Sequence, residues 1–94
     1  MAKVMVRSTN AGVFYGKVVS RDEDTVVLKD SRRVWYWAGA ATLSELANRG
    51  TSKPEECKFP APIQGEHTVL GVCEIIEMTP KAVASLDAVP VWSA

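Results

Sequence analysis

Little in this chain can carry out covalent chemistry. It has 2 cysteines and 1 histidine, and Cys57, His67 and Cys73 stand too far apart to form the close pairs, such as C-x-x-C, that announce a zinc site. There is no G-x-S-x-G, no H-E-x-x-H and no Walker loop. These absences argue against the common hydrolase, metalloprotease and nucleotide-hydrolysing classes. They leave no catalytic residue, metal ligand or cofactor to nominate, and no enzyme activity is expected. His67, alone in a polar stretch, reads as solvated. Cys73, inside an apolar run, reads as a buried, reduced, structural cysteine.

An excess of one charge is also missing. The 11 basic and 11 acidic residues give a formal net charge of zero, whereas a protein that grips duplex DNA through its phosphates needs a positive surplus. General DNA binding is therefore not expected, although a local anion site remains open. No apolar run approaches the roughly 18 residues needed to cross a bilayer. The opening MAKVMVRSTN lacks the apolar stretch of a signal peptide, so a cytoplasmic location is expected.

What is present is an ordinary folding composition. With 94 residues, 47% apolar and 23% charged, residues 1–94 read as a single domain. A domain of this size buries a small core, and self-association into a homo-oligomer would add to it.

The periodicities place the elements. KVMVRS alternates with the period of a half-buried strand, and TNAG supplies turn residues. VFYGKVVS and TVVLKD, on either side of the acidic RDED, form a hairpin, with Gly16 marking a bulge or bend. Asp22, Glu23 and Asp24 lack the glycine and distal glutamate of a calcium loop and read as a solvated tip. RRVWYW follows as a third strand, with the N-terminal strand pairing at an edge. Thr42 and Glu45 form a capping box ahead of a helix over 43–49 that Gly50 ends. Residues 51–68 form a long surface loop holding three prolines. TVLGVCEIIEM reads as one central strand, apolar on both faces. Thr79 and Pro80 open a second short helix, and Trp92 is available as a plug. The fold class is α+β: a small, strongly bent antiparallel β-sheet or open barrel of the SH3 or Sm type, with two short helices.

The candidate binding residues cluster in one stretch. If residues 32–37 are a strand, Arg33, Trp35 and Trp37 project to one face and Arg32, Val34 and Tyr36 to the other. Indole and guanidinium planes stack on nucleobases, and the arginine fork pairs with phosphate. Arg7, Arg32, Arg33, Trp35, Tyr36 and Trp37 are thus the candidate ligand-binding set, for an anionic, nucleotide-like small molecule. The competing use is structural, since tryptophans supply core mass and arginines pack on indoles.

Three blocks, VRSTNAGVFYGKVVSRD, VVLKDSRRVWYWAGAATLSELANRG and CEIIEMTPKAVASLDAVPVW, resemble a family of small uncharacterised proteins of tailed bacteriophages and prophages. The most specific part is R-R-x-W-Y-W-x-G-A, here Arg32 to Ala40. The chain departs from the family's usual threonine and alanine at Ser8 and Ser31. The resemblance carries over no catalytic residue. It implies a phage accessory protein that acts by binding inside the infected cell, of the anti-defence kind that sequesters a nucleotide signal. Two alternatives stay open: a protein-interaction or virion module using the aromatic patch and the proline-rich loop, and an Sm-like binder of single-stranded RNA.

Overall fold

A computed structural model describes residues 3–92. Three strands, β1 (Lys3–Ser8), β2 (Gly12–Asp22) and β3 (Thr25–Arg33), form an antiparallel meander. A helix, α1 (Leu43–Arg49), and a 3₁₀ turn at Pro54–Glu56 follow, then β4 (Glu66–Val69), β5 (Val72–Glu77) and a second helix, α2 (Pro80–Asp87). The sheet order is β4-β3-β2-β1-β5, every neighbouring pair antiparallel.

That order forces the sheet to bend. β4 and β5 lie at opposite edges, yet only Leu70 and Gly71 separate them. Four inter-strand spacings of about 4.8 Å put the edges of a flat five-stranded sheet roughly 19 Å apart. Three Cα steps of about 3.8 Å reach roughly 11 Å. The sheet must therefore curl into an open barrel, and the Val72 N–H closes the gap by donating to the Asp24 carbonyl at 2.8 Å.

Two bulges help the curl. Tyr15 pairs with Arg32 and Lys17 with Lys29, so Gly16 alone faces both Asp30 and Ser31, and Asp30 takes a φ of +53°. Only glycine fits at that position of β2, because a Cβ there would sit 2.9 Å from the Ser31 Cα. Further along, Val19 is the extra residue, now on β2. Bulges of this kind sharpen local twist and re-aim side chains.

Alternation along the strands divides the core in two. Val6, Phe14, Val26, Leu28 and Val69 fill the concave side. Met5 and Tyr15 point the other way, towards Leu46 of α1, Leu86 of α2, and Phe59. The helices begin as their sequences require: Thr42 Oγ1 accepts from the Glu45 N–H at 3.1 Å, and Thr79 Oγ1 from the Ala82 N–H at 3.0 Å. Gly50 ends α1 at a φ of +78°, where a Cβ would meet the Ser85 side chain at 2.3 Å. The bent antiparallel sheet, the hairpin, the bulge at Gly16 and both helices match the sequence-based expectation.

Several details differ. β3 ends at Arg33, and Tyr36 forms only an isolated bridge with Lys58. The expected single central strand is instead two edge strands, broken at Leu70 and Gly71, and its apolar residues divide between the two core clusters. β1 is internal, flanked by β2 and β5. Cys73 is exposed on the edge strand β5, and Cys57 is the buried cysteine. The 51–68 stretch is anchored: Phe59 is fully buried and bridges to Val91.

Candidate functional site

The end of β3 divides the two arginines. Tyr15 and Arg32 are register partners on the helix-facing side, and Phe14 and Arg33 on the concave side. Arg32 is 4% exposed and works as an internal clamp. Its Nε donates to Pro60 O at 2.9 Å, Nη1 to Leu86 O at 3.2 Å, and Nη2 to Phe59 O at 3.2 Å and Val89 O at 2.9 Å. The guanidinium also lies 5.3 Å from the Phe59 ring centroid. One cation thereby ties β3 to the 59–60 segment, the C-terminal end of α2 and the turn after it.

Arg33 stays at the surface. It sits 4.5 Å from the Phe14 ring centroid and donates from Nη1 to Ala11 O at 2.8 Å. With Trp35, Gly12, Val13 and Val34 it lines a depression of about 270 Å³.

Beyond β3, Trp35 and Tyr36 stand out into solvent. Trp35 is 59% exposed and Tyr36 51%. Trp92 meets Trp35 edge to face, with centroids 6.0 Å apart. Lys58, brought alongside by the Tyr36 bridge, holds its ammonium 5.9 Å from the Tyr36 centroid and 5.6 Å from that of Trp92. Trp37 is half-buried against the helix-side core, and its indole N–H donates to Ala40 O at 3.2 Å. Arg7, on β1, pairs with Glu74 at 3.2 Å.

Of the six residues singled out in the sequence, Arg33, Trp35 and Tyr36 therefore share an exposed region. Arg32 and Trp37 are engaged inward, and Arg7 is paired on another strand. Sequence reading missed Lys58 altogether and offered Trp92 as a plug; the indole is half-buried, with its ring against Trp35. Only the tertiary bridges 36–58 and 59–91 bring them to the face.

A family model for the domain of unknown function DUF6948 matches residues 1–86. The chain belongs to that family. The match to the DUF6948 domain includes Arg33, Trp35, Tyr36 and Lys58, and stops short of Trp92. No curated protein and no solved structure matches the chain.

Elsewhere in this DUF6948 domain two titratable groups are perturbed. The Tyr15 hydroxyl donates to Asp87 Oδ1 at 2.9 Å, and burial, reinforced by that carboxylate, pushes its pKa well above the ordinary 10.0. His67 lies on β4, half-buried, its Nδ1 3.2 Å from Ser31 Oγ and its ring edge-on to Phe14. Burial lowers its pKa below 6.5, and the charge of Arg33 lowers it further. Ser31 is fully buried, so this Ser/His pair offers no accessible nucleophile. Among the described residues no group of three His, Cys, Asp or Glu side chains is placed to hold a metal, and no helix is long and apolar enough to cross a membrane.

Proposed function

We propose that this protein acts by binding and not by catalysis, and that its working surface is the exposed face of Arg33, Trp35, Tyr36, Lys58 and Trp92. The observation that carries this reading is the exposure of Trp35 and Tyr36 beside two cations. A domain with so little core to spare gains nothing in stability from leaving two large rings in water. Planar rings and an arginine together suit an anionic, nucleotide-like molecule, with stacking worth about 1–3 kcal/mol per base. The resemblance to tailed-phage proteins gives that binding a purpose: sequestration of a nucleotide signal in the cytoplasm of an infected bacterium. The face is open on one side, and a second copy in a homo-oligomer would enclose the ligand.

Native mass spectrometry, alone and with cyclic dinucleotides, cyclic trinucleotides and cyclic ADP-ribose isomers, tests the reading. A defined oligomer gaining one ligand mass per site, and losing that uptake in Trp35→Ala, supports it. Absence of uptake refutes it and favours a second reading, that the face docks on a protein. That reading draws on Val91, 61% exposed beside Trp92, which extends the aromatic surface with an aliphatic one. The SH3- or Sm-like strand order leaves single-stranded RNA as a third, weaker reading, set against by the zero net charge.

A further inference from the structure

Two depressions meet at one ion pair, and neither shares a lining residue with the aromatic face. The first, of about 460 Å³, lies between β1, β2, β3 and the 62–65 segment and is lined by Lys3, Tyr15, Asp30 and Asp87 among others. The second, of about 490 Å³, shares Lys3 and Asp87 with it and continues over Met78, Pro80, Val83 and Ala84, with Lys17 at its rim. Pro80, Val83, Ala84 and Asp87 fall on one face of α2, so the helix offers an apolar strip that ends in a carboxylate. Both volumes are in the range of small-molecule sites.

Two ion pairs stand at the seam, and Arg32, which also lines the first depression, spends its donors on the carbonyls described above. Lys3 Nζ lies 3.3 Å from Asp87 Oδ1, and Lys17 Nζ 3.3 Å from Asp30 Oδ2. Asp87 Oδ1 also accepts from the Tyr15 hydroxyl. The second oxygen of each carboxylate accepts no hydrogen bond from the described residues. Asp30 is held there by the bulge in the left-handed region, at a φ of +53°. The floor is set by Tyr15, buried and hydrogen-bonded to Asp87.

We infer that this double depression binds a zwitterionic small molecule with an apolar arm, of the class of a free apolar amino acid. The charge pattern selects the head group. A lone anion drawn to Lys3 and Lys17 meets Asp87 and Asp30, and a lone cation drawn to the carboxylates meets the lysines. A zwitterion answers both, its ammonium on the free carboxylate oxygens and its carboxylate on the ammonium groups. Its apolar arm lies along Val83 and Ala84 of α2.

The test is a ¹⁵N-detected NMR titration of the full chain with L-phenylalanine, alongside hydrocinnamate, which lacks the ammonium, and phenethylamine, which lacks the carboxylate. Phenylalanine at millimolar concentration shifts the amides of Lys3, Val83, Ala84 and Asp87, and each single-charge analogue binds about tenfold more weakly or worse. Asp30→Asn keeps a residue suited to left-handed backbone while removing the charge, and it lowers the affinity by a similar factor. Lys17→Gln, which leaves the bulge alone, carries the same expectation should Asp30→Asn fail to fold. Silence at those amides, equal binding of an analogue, or unchanged affinity in a folded variant overturns the inference. Shifts confined to Trp35 and Tyr36 overturn it too, while leaving the aromatic-face reading standing.

Discussion

Replacing Arg32 separates its structural use from a ligand-binding one. The side chain makes four hydrogen bonds to carbonyls, three of them buried, from Leu86, Phe59 and Val89. Arg32→Met keeps most of the apolar stem and removes every donor. A buried acceptor left without a donor costs about 1–3 kcal/mol. Val89 O alone of the three loses every donor, because Leu86 O also accepts from the Val89 N–H and Phe59 O from the Trp92 N–H; with the three other lost bonds at about 0.5–1.5 kcal/mol each, the loss is about 3–7 kcal/mol. A domain of this length holds roughly 5–14 kcal/mol in all, so the variant sits near the edge of folding. Urea denaturation followed by tryptophan fluorescence reads the change as a lower midpoint at constant slope. Arg33→Ala in the same assay loses about 1 kcal/mol or less, because that guanidinium is exposed and bonded to one carbonyl. If Arg32→Met stays within about 1 kcal/mol of the parent, the clamp is not what holds the three segments together.

Three further outcomes follow from the same structure. The folded state disfavours protonated His67, so the unfolded chain takes up the proton first as pH falls. The stability His67 contributes is complete above about pH 6.5 and declines as pH drops through that value. Urea midpoints at about pH 7.5 and 5.5 show the decline, and His67→Gln lessens it; an identical pH dependence in the variant contradicts the assignment. Gly16→Ala drives a methyl to within 2.9 Å of the Ser31 Cα and lowers stability by about 1–3 kcal/mol; a neutral melting curve means that the bulge relaxes freely. A thiol reagent modifies Cys73 in the native protein and reaches Cys57 only on unfolding, so mass spectrometry of the labelled native chain finds one adduct.

Much of the architecture was legible because it rests on local rules. The capping threonines, Pro80 at the start of α2, Gly50 at the end of α1 and the alternation of β1 and β2 each act over a few residues. They were read at their true positions. Gly16 announced its bulge because glycine inside a strand pattern has few other uses. The misread stretch VLGVCEIIEM shows the limit. An apolar run looks the same whether it is one central strand or two edge strands around a Gly71 turn, and only closure of the barrel decides between them. Likewise, strict alternation carried past Arg33 assigned faces to Trp35, Tyr36 and Trp37 that a strand ending at Arg33 does not impose.

Composition and the periods of 2 and 3.6 encode directly the α+β class, the hairpin, both helices and a surplus of aromatics next to the arginine pair. The tertiary structure alone decided which arginine is inside. Arg32 and Arg33 are adjacent and chemically identical, and what separates them is that one faces the carbonyls at the end of α2 and the other faces water. It alone brought Lys58 and Trp92 to Trp35, and Asp30 and Asp87 to one cleft, because those encounters depend on long-range pairing that leaves no period in the chain.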